Sequence, residues 1–127
     1  MVWHDDLKKR KKTGGKKRAY RTRRAYDKGR FPVETVLGET RRKTVSGRAR
    51  ISKNKIVRTD LVNLSNPETG LTERVAIQDV VRNPANPDYN RRGVITKGTI
   101  IRTEKGLAKI VSRPGQHGSL NAILIEE

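Results

Sequence analysis

The sequence predicts an all-β protein, a small antiparallel β-barrel that carries an extended basic N-terminal arm. Three observations predict it. Positive charge is heaped at the N-terminal end. From Val33 onward, short apolar or alternating runs are separated by turn residues, the pattern of strands at regular spacing. No stretch carries the apolar stripe of a long amphipathic helix.

The chain has 127 residues, 32% of them hydrophobic and 34% charged, with a formal net charge of +17. One Trp, one Phe and three Tyr leave Val, Ile, Leu and Ala to build the interior. Such a charge exceeds any need of solubility and attracts polyanions. Nucleic acid is the usual partner, because each phosphate contact releases condensed counterions. A membrane is disfavoured, since no apolar run approaches the ~20 residues of a span. With no cysteine, disulfides and thiolate metal sites are excluded. The N-terminal residues lack the apolar stretch of a secretory signal, so the expected setting is soluble and intracellular.

The charge divides sharply at Lys55. Residues 1–55 hold 20 Lys or Arg against 5 acids, whereas residues 56–127 hold 10 against 8. This asymmetry predicts a basic RNA-binding arm over 1–32 and a β-barrel domain over 33–127.

In the arm, Lys8, Lys9, Arg10, Lys11 and Lys12 form an unbroken basic run, followed by Thr13, Gly14 and Gly15. Five adjacent cations repel one another, so residues 1–15 are expected to be mobile in the free protein. The glycines allow close approach of backbone to phosphate. Next come Lys16, Lys17, Arg18, Arg21, Arg23 and Arg24, with Tyr20 and Tyr26 interleaved. A short helix over 16–28 lacks an apolar stripe and is expected mainly once phosphates neutralise it. Gly29 and Pro32 end the segment, with Arg30 between them.

The barrel elements follow in order. Val33 to Leu37 is a weak strand, ended by Gly38. Thr44 to Ile51 and Ile56 to Leu64 are longer strands joined near Ser52-Lys53-Asn54. Asn66 to Gly70 is a turn, and Arg74 to Val81 an apolar-rich strand. Two prolines make residues 83–88 a loop. Thr99 to Arg102, Leu107 to Ser112 and Ala122 to Ile125 complete the set. Glu104-Lys105-Gly106 forms a tight turn and Pro114 to Gly118 a wider one.

Each candidate site has a bland alternative. The arm read blandly is a solvated tail; its mixture of Arg clusters, Tyr and Gly favours RNA, since Arg forks onto phosphate and Tyr stacks on unpaired bases. A second patch comprises Arg41, Arg42, Lys43, Arg48, Arg50, Lys53 and Lys55. It is either a solvated strand face or a continuation of the phosphate-tracking surface; continuity with the arm favours the latter. Thr13-Gly14-Gly15-Lys16 lacks the preceding strand and the spacing of a nucleotide-binding loop. His4 and His117 are the only histidines, and nothing in the sequence holds them together for acid–base cleavage. No ligand cluster has metal spacing. Ser112 to Gly118 reads equally well as a plain turn or as a rigid support from which Arg113 and Gln116 reach RNA.

Trp3-His4, Thr13-Gly14-Gly15-Lys16, Tyr26, Gly29-Arg30, Thr35, Gly38, Arg41-Arg42, Asp79-Val80-Val81 and Ser112-Arg113-Pro114-Gly115-Gln116 occur in an order that resembles the archaeal and eukaryotic small-subunit ribosomal protein eight family, which is unrelated to bacterial protein eight. The resemblance spans essentially the whole chain, and the length resembles the short archaeal form without the charged insertion of eukaryotic members. It departs at Ala49-Arg50-Ile51, where many members carry a Gly-Gly-Asn turn. The resemblance implies a structural, non-enzymatic protein with a β-barrel core and an arm threaded into RNA. Its implied partners are small-subunit ribosomal RNA and neighbouring small-subunit proteins, with one copy per cytoplasmic ribosome. It implies no cofactor, metal or small-molecule substrate. A ribosome-assembly factor with a related domain is one alternative, and a sequence-indifferent chromatin protein another.

Overall fold

Alternating apolar residues between Leu61 and Leu124 close on themselves as a five-stranded barrel. The computed structural model describes residues 3–47 and 49–125, so the predicted contact Arg48 lies outside the described residues. The chain divides into two compact units, Met1–Pro32 and Val33–Glu127.

In the second unit a three-stranded sheet precedes the barrel. Its strands are β1 (Val36–Leu37), β2 (Arg41–Ser46) and β3 (Ser52–Thr59), in the order β1-β3-β2. The barrel comprises β4 (Leu61–Ser65), β5 (Thr72–Arg82), β6 (Ile100–Thr103), β7 (Gly106–Ile110) and β8 (Asn121–Leu124). Consecutive barrel strands pair antiparallel; the closing pair, β4 with β8, is parallel. Every barrel strand thereby gains two neighbours, and no edge is left to pair with another chain. β5 bends from β4 to β6 through register shifts between Ile77 and Asp79 and between Val80 and Arg82. Bulges of this kind kink a strand enough to turn a barrel corner.

Side chains fill the interior. Val62 and Leu64, Val75 and Ile77, Ile101, Ala108 and Ile110, and Ala122 point inward at period two, joined by Ile56, Ile95 and Leu120. Each buried Ile contributes about 1.5–3 kcal/mol. A few buried polar groups fasten the surrounding loops. Thr35 Oγ1 donates to the Ile56 carbonyl at 2.7 Å, and the Thr35 carbonyl accepts from Ile95 N at 2.7 Å. Asn83 Nδ2 donates to the Val94 carbonyl at 2.6 Å, while its Oδ1 accepts from Ala85 N and Thr96 Oγ1.

Two short helices interrupt predicted loops. α1 (Pro87–Arg91) has Asn86 as its N-cap, the side chain accepting from Asp88 N, and Pro87 in the first turn. That combination starts a helix at no cost in lost hydrogen bonds. α2 (Pro114–His117) ends at Gly118 with φ 70°.

Several predicted boundaries shift. β2 begins at Arg41, three residues early, because an exposed strand needs no apolar alternation. The strand read from Ile56 to Leu64 is two strands broken at Asp60, whose carbonyl accepts from Ile77 N. The predicted turn at Ser52-Lys53-Asn54 lies inside β3; the hairpin instead turns over residues 47–51, with Gly47 N donating to the Ile51 carbonyl. At its tip Ala49 and Arg50 both adopt left-handed backbone, φ 54° and 60°. L-residues with a Cβ occupy that region at a cost of about 1–2 kcal/mol each. Replacing Ala49→Gly or Arg50→Gly is expected to raise stability by about 1 kcal/mol each. Urea midpoints check this, and an unchanged or lowered midpoint contradicts a strained tip.

Candidate nucleic-acid interface

The first unit doubles back on itself instead of running as a helix. Among its described residues it carries two 3-10 turns, Asp6–Lys8 and Ala25–Asp27. Isolated bridges join Trp3 to Lys28 and Arg10 to Lys16. The chain reverses over Lys11 to Gly15, where Lys11 N donates to the Gly15 carbonyl at 3.0 Å and Gly14 N to the Lys11 carbonyl at 2.9 Å. Gly14 sits at φ 83°, a conformation that glycine alone adopts without strain. Thr13 and Gly15 complete this exposed loop, flanked by Lys8, Lys9, Lys12 and Lys16 at the surface.

Three carboxylates organise the cations of this unit. Arg23 Nε lies 2.8 Å from Asp5 Oδ2 and Arg21 Nη1 lies 3.0 Å from Asp27 Oδ2. Lys9 Nζ lies 3.0 Å from Asp6 Oδ1. The Arg21 guanidinium also lies 5.4 Å from the ring centres of both Tyr20 and Tyr26, and that of Arg23 lies 5.3 Å from Trp3. Tyr20 and Tyr26 remain 89% and 69% exposed, so each ring keeps surface for a nucleobase. A cleft of about 750 Å3, lined by Trp3, Asp5, Lys17, Arg18, Tyr20 and Arg23 among others, opens between the two halves of the loop. Oδ1 of Asp5 is buried there with no partner. Arg24 and Arg30 are exposed.

In the second unit the predicted patch coincides with the β2–β3 hairpin. Arg41 stands opposite Arg58, and Lys43 opposite Lys55. Like charges facing across a ladder are destabilising, by up to about 1 kcal/mol a pair. Between Glu39 and Asp60 the sequence contains no acid. Among the described residues, none of Arg41, Arg42, Lys43, Arg50, Lys53, Lys55 and Arg58 lies within ion-pair distance of a carboxylate. Arg58 has no place in the predicted set: it lies beyond Lys55, where the net charge falls away, and only strand register reveals it.

The Ser112-to-Gly118 segment supports this hairpin. Ser112 and Pro114 are buried, and Ser112 Oγ accepts from Asn121 N at 2.9 Å. A Cβ on Gly118 would stand 2.8 Å from Asn54 Cβ and 3.0 Å from the Asn54 carbonyl oxygen; glycine is needed for α2 to lie this close to β3. Gln116 Oε1 accepts from Lys53 Nζ at 3.1 Å, and Arg113 is exposed. The structure thus brings Gln116 to the basic patch. His117 Nδ1 accepts from Arg113 N at 3.2 Å, which gives this histidine a helix-capping role. His4 belongs to the other unit.

The model of the family described as "Ribosomal protein S8e" matches residues 4–125. The chain belongs to the ribosomal protein S8e family. It is 44% identical over 126 residues to the small ribosomal subunit protein eS8 of Methanocorpusculum labreanum, covering 99% of this chain and all of that one. It is 44% identical to the eS8 protein of Haloarcula marismortui, over 92% of this chain and 94% of the relative. With that of Staphylothermus marinus it shares 43% identity over the full length of both. These three relatives are archaeal, and the similarity covers both units.

The acids of the first unit make its closed form pH-sensitive. A backbone hydrogen bond from Arg24, then that of Arg21, holds the Asp27 carboxyl below its usual range; Lys9 does the same for Asp6. A lowered pKa adds stability that is present above the ordinary value, about 3.9, and is lost as pH falls through the depressed one. The loop is therefore expected to stay closed down to about pH 4 and to open below it. Fluorescence of Trp3, the sole tryptophan, reports the change. Asp27→Ala is expected to give the open signal at neutral pH; a wild-type signal from that variant contradicts the ion-pair clasp.

Proposed function

We propose that this protein is a structural constituent of the small ribosomal subunit in the cytoplasm. It binds ribosomal RNA through phosphate contacts of residues 8–30 and of the β2–β3 hairpin, with no catalytic step. Membership of a family whose relatives carry the name of small ribosomal subunit proteins supports the setting. The observation that carries the chemistry is the opposed Arg41–Arg58 and Lys43–Lys55 pairs, without a carboxylate among them. Such pairs destabilise the free protein and become favourable once anions lie over them. Arg supplies bidentate phosphate contacts and Tyr20 and Tyr26 supply stacking surfaces. Neighbouring small-subunit proteins are its other partners, with one copy in each subunit.

If about 8 phosphates are neutralised, log affinity for small-subunit RNA falls against log salt with a slope of about −6. Filter binding between 50 and 400 mM salt measures it, with duplex DNA as competitor. A flat dependence refutes phosphate contacts, and equal affinity for the DNA favours a chromatin-type role.

Deleting residues 1–30 removes thirteen cations and none of the buried apolar core. The truncated chain is expected to melt cooperatively and to bind RNA with a slope smaller by several units. Undiminished affinity would assign the whole interaction to the hairpin.

A further inference from the structure

Resting on that RNA-binding reading, we propose that the cleft of the first unit is a pocket for one unpaired guanine of the bound RNA. Its volume of about 750 Å3 lies within the range of about 300–1,000 Å3 usual for small-molecule sites. Trp3, Leu7 and Tyr20 give it aromatic and apolar walls, and Lys17 and Arg18 stand among its lining residues. Asp5 lines the same cleft with its side chain only 15% exposed. Its Oδ2 accepts from Arg23 Nε at 2.8 Å, whereas Oδ1 is buried without a partner.

A carboxylate oxygen withdrawn from water and left unbonded destabilises the free protein, and low-dielectric surroundings raise the value of any donor brought to it. The neighbours decide what that donor is. Arg23 already balances the charge of Asp5, so a neutral N–H suffices. The lysine and arginine around the cleft repel a cationic ligand and attract an anionic one. The aromatic walls suit a flat ring. A flat ring with neutral N–H donors, carried on an anionic backbone, is a nucleotide.

Among the bases of RNA, guanine fits best. Its N1–H and N2–H groups lie side by side on the Watson–Crick edge, and an ionised carboxylate oxygen offers two lone pairs. Uracil sets its one N–H between two carbonyl oxygens, which a carboxylate repels. Adenine and cytosine place a ring acceptor next to their amino groups. Pairing occupies the same edge in a duplex, so the guanine comes from a loop, bulge or end, where single bases are splayed out onto aromatic side chains. The oxygen is covered in the free protein, and a wall must move before the base meets it. Lys17 and Arg18 have no carboxylate within ion-pair distance among the described residues, and long side chains of that kind turn within nanoseconds. Turned outward, they meet the phosphates on either side of the base.

Trp3, the sole tryptophan, reports occupancy of the cleft it lines. The full-length protein is titrated with three single-stranded heptanucleotides of RNA: all uridine, uridine with a central guanosine, and uridine with a central inosine, which lacks the N2 amino group. Quenching of Trp3 is expected at about 10-fold lower concentration with guanosine than with uridine alone, and at an intermediate one with inosine. Asp5→Asn is expected to bring the guanosine and uridine oligonucleotides within about twofold of each other. Arg23 Nε still requires an oxygen, so the new amide turns its NH2 toward the base, donor against donor. The Trp3 emission maximum of the free variant verifies its fold, and the inosine comparison uses the unaltered chain.

Equal affinity for the three oligonucleotides, or a guanosine preference that survives Asp5→Asn, overturns the pocket and leaves RNA binding intact. Binding of small-subunit RNA without binding of any oligonucleotide does the same. Failure to bind either kind of RNA overturns the RNA-binding reading itself.

Discussion

Among the described residues a dozen buried apolar side chains must hold together a chain with a net charge of +17. Self-repulsion is the constraint from which the rest of the second unit follows. Charge is tolerated in proportion to its distance from other charge of the same sign, and the barrel keeps its own strands nearly neutral. The hairpin then takes the excess on residues that bury almost nothing. β3 belongs to both regions. Its first half exposes Ser52, Lys53 and Asn54, while Ile56 and Thr59 in its second half are buried. The cationic ribbon is thus an outgrowth of a strand whose other end is locked by the core, and its base cannot move without disturbing Ile56.

The clamp on that base is α2. The four-residue helix is too short to be stable by itself; burial of Pro114, the Ser112 hydrogen bond to Asn121 and the left-handed Gly118 hold it. The absence of a side chain at Gly118 lets it press on Asn54, which in turn bonds Thr44 across the ladder. A chain of close contacts therefore runs from the barrel seam at β8, through α2 and β3, into β2. Residues 112–118 act on the hairpin mainly by positioning it, with Gln116 also reaching Lys53.

The fold class was legible because barrel strands bury one face and write that fact as period-two apolar residues: Val62 and Leu64, Val75 and Ile77, Ala108 and Ile110. The hairpin wrote no such pattern. The strand predicted from Thr44 leaves out Arg41, Arg42 and Lys43 since neither face of β2 is fully buried, and the turn at Ala49-Arg50 has no glycine where two left-handed residues occur. Charge counting found the basic patch yet missed Arg58, which meets Arg41 only through register. The 3-10 turns of residues 3–30 were illegible for another reason. They are held by Asp5, Asp6 and Asp27, three acids that composition alone treats as a small deduction from a large positive sum.

Those acids make the two cationic regions electrostatically unequal. Arg21, Arg23 and Lys9 already have carboxylate partners, so a phosphate that takes any of them must displace an existing ion pair. Exchange of one anion for another releases less free energy than neutralising a bare cation, and it leaves an aspartate to be resolvated or repelled. Among the described residues, the hairpin cations have no such partners. Its lysines and arginines gain the whole counterion-release term on contact, and their like-charge pairs are relieved at the same time. The hairpin is accordingly the stronger electrostatic attractor per residue, although residues 8–30 contain more cations. In the proposed function residues 8–30 contribute what the hairpin lacks: two exposed tyrosines and a glycine turn where backbone can approach a phosphate. On that proposal, attraction and shape recognition fall to different parts of one short chain.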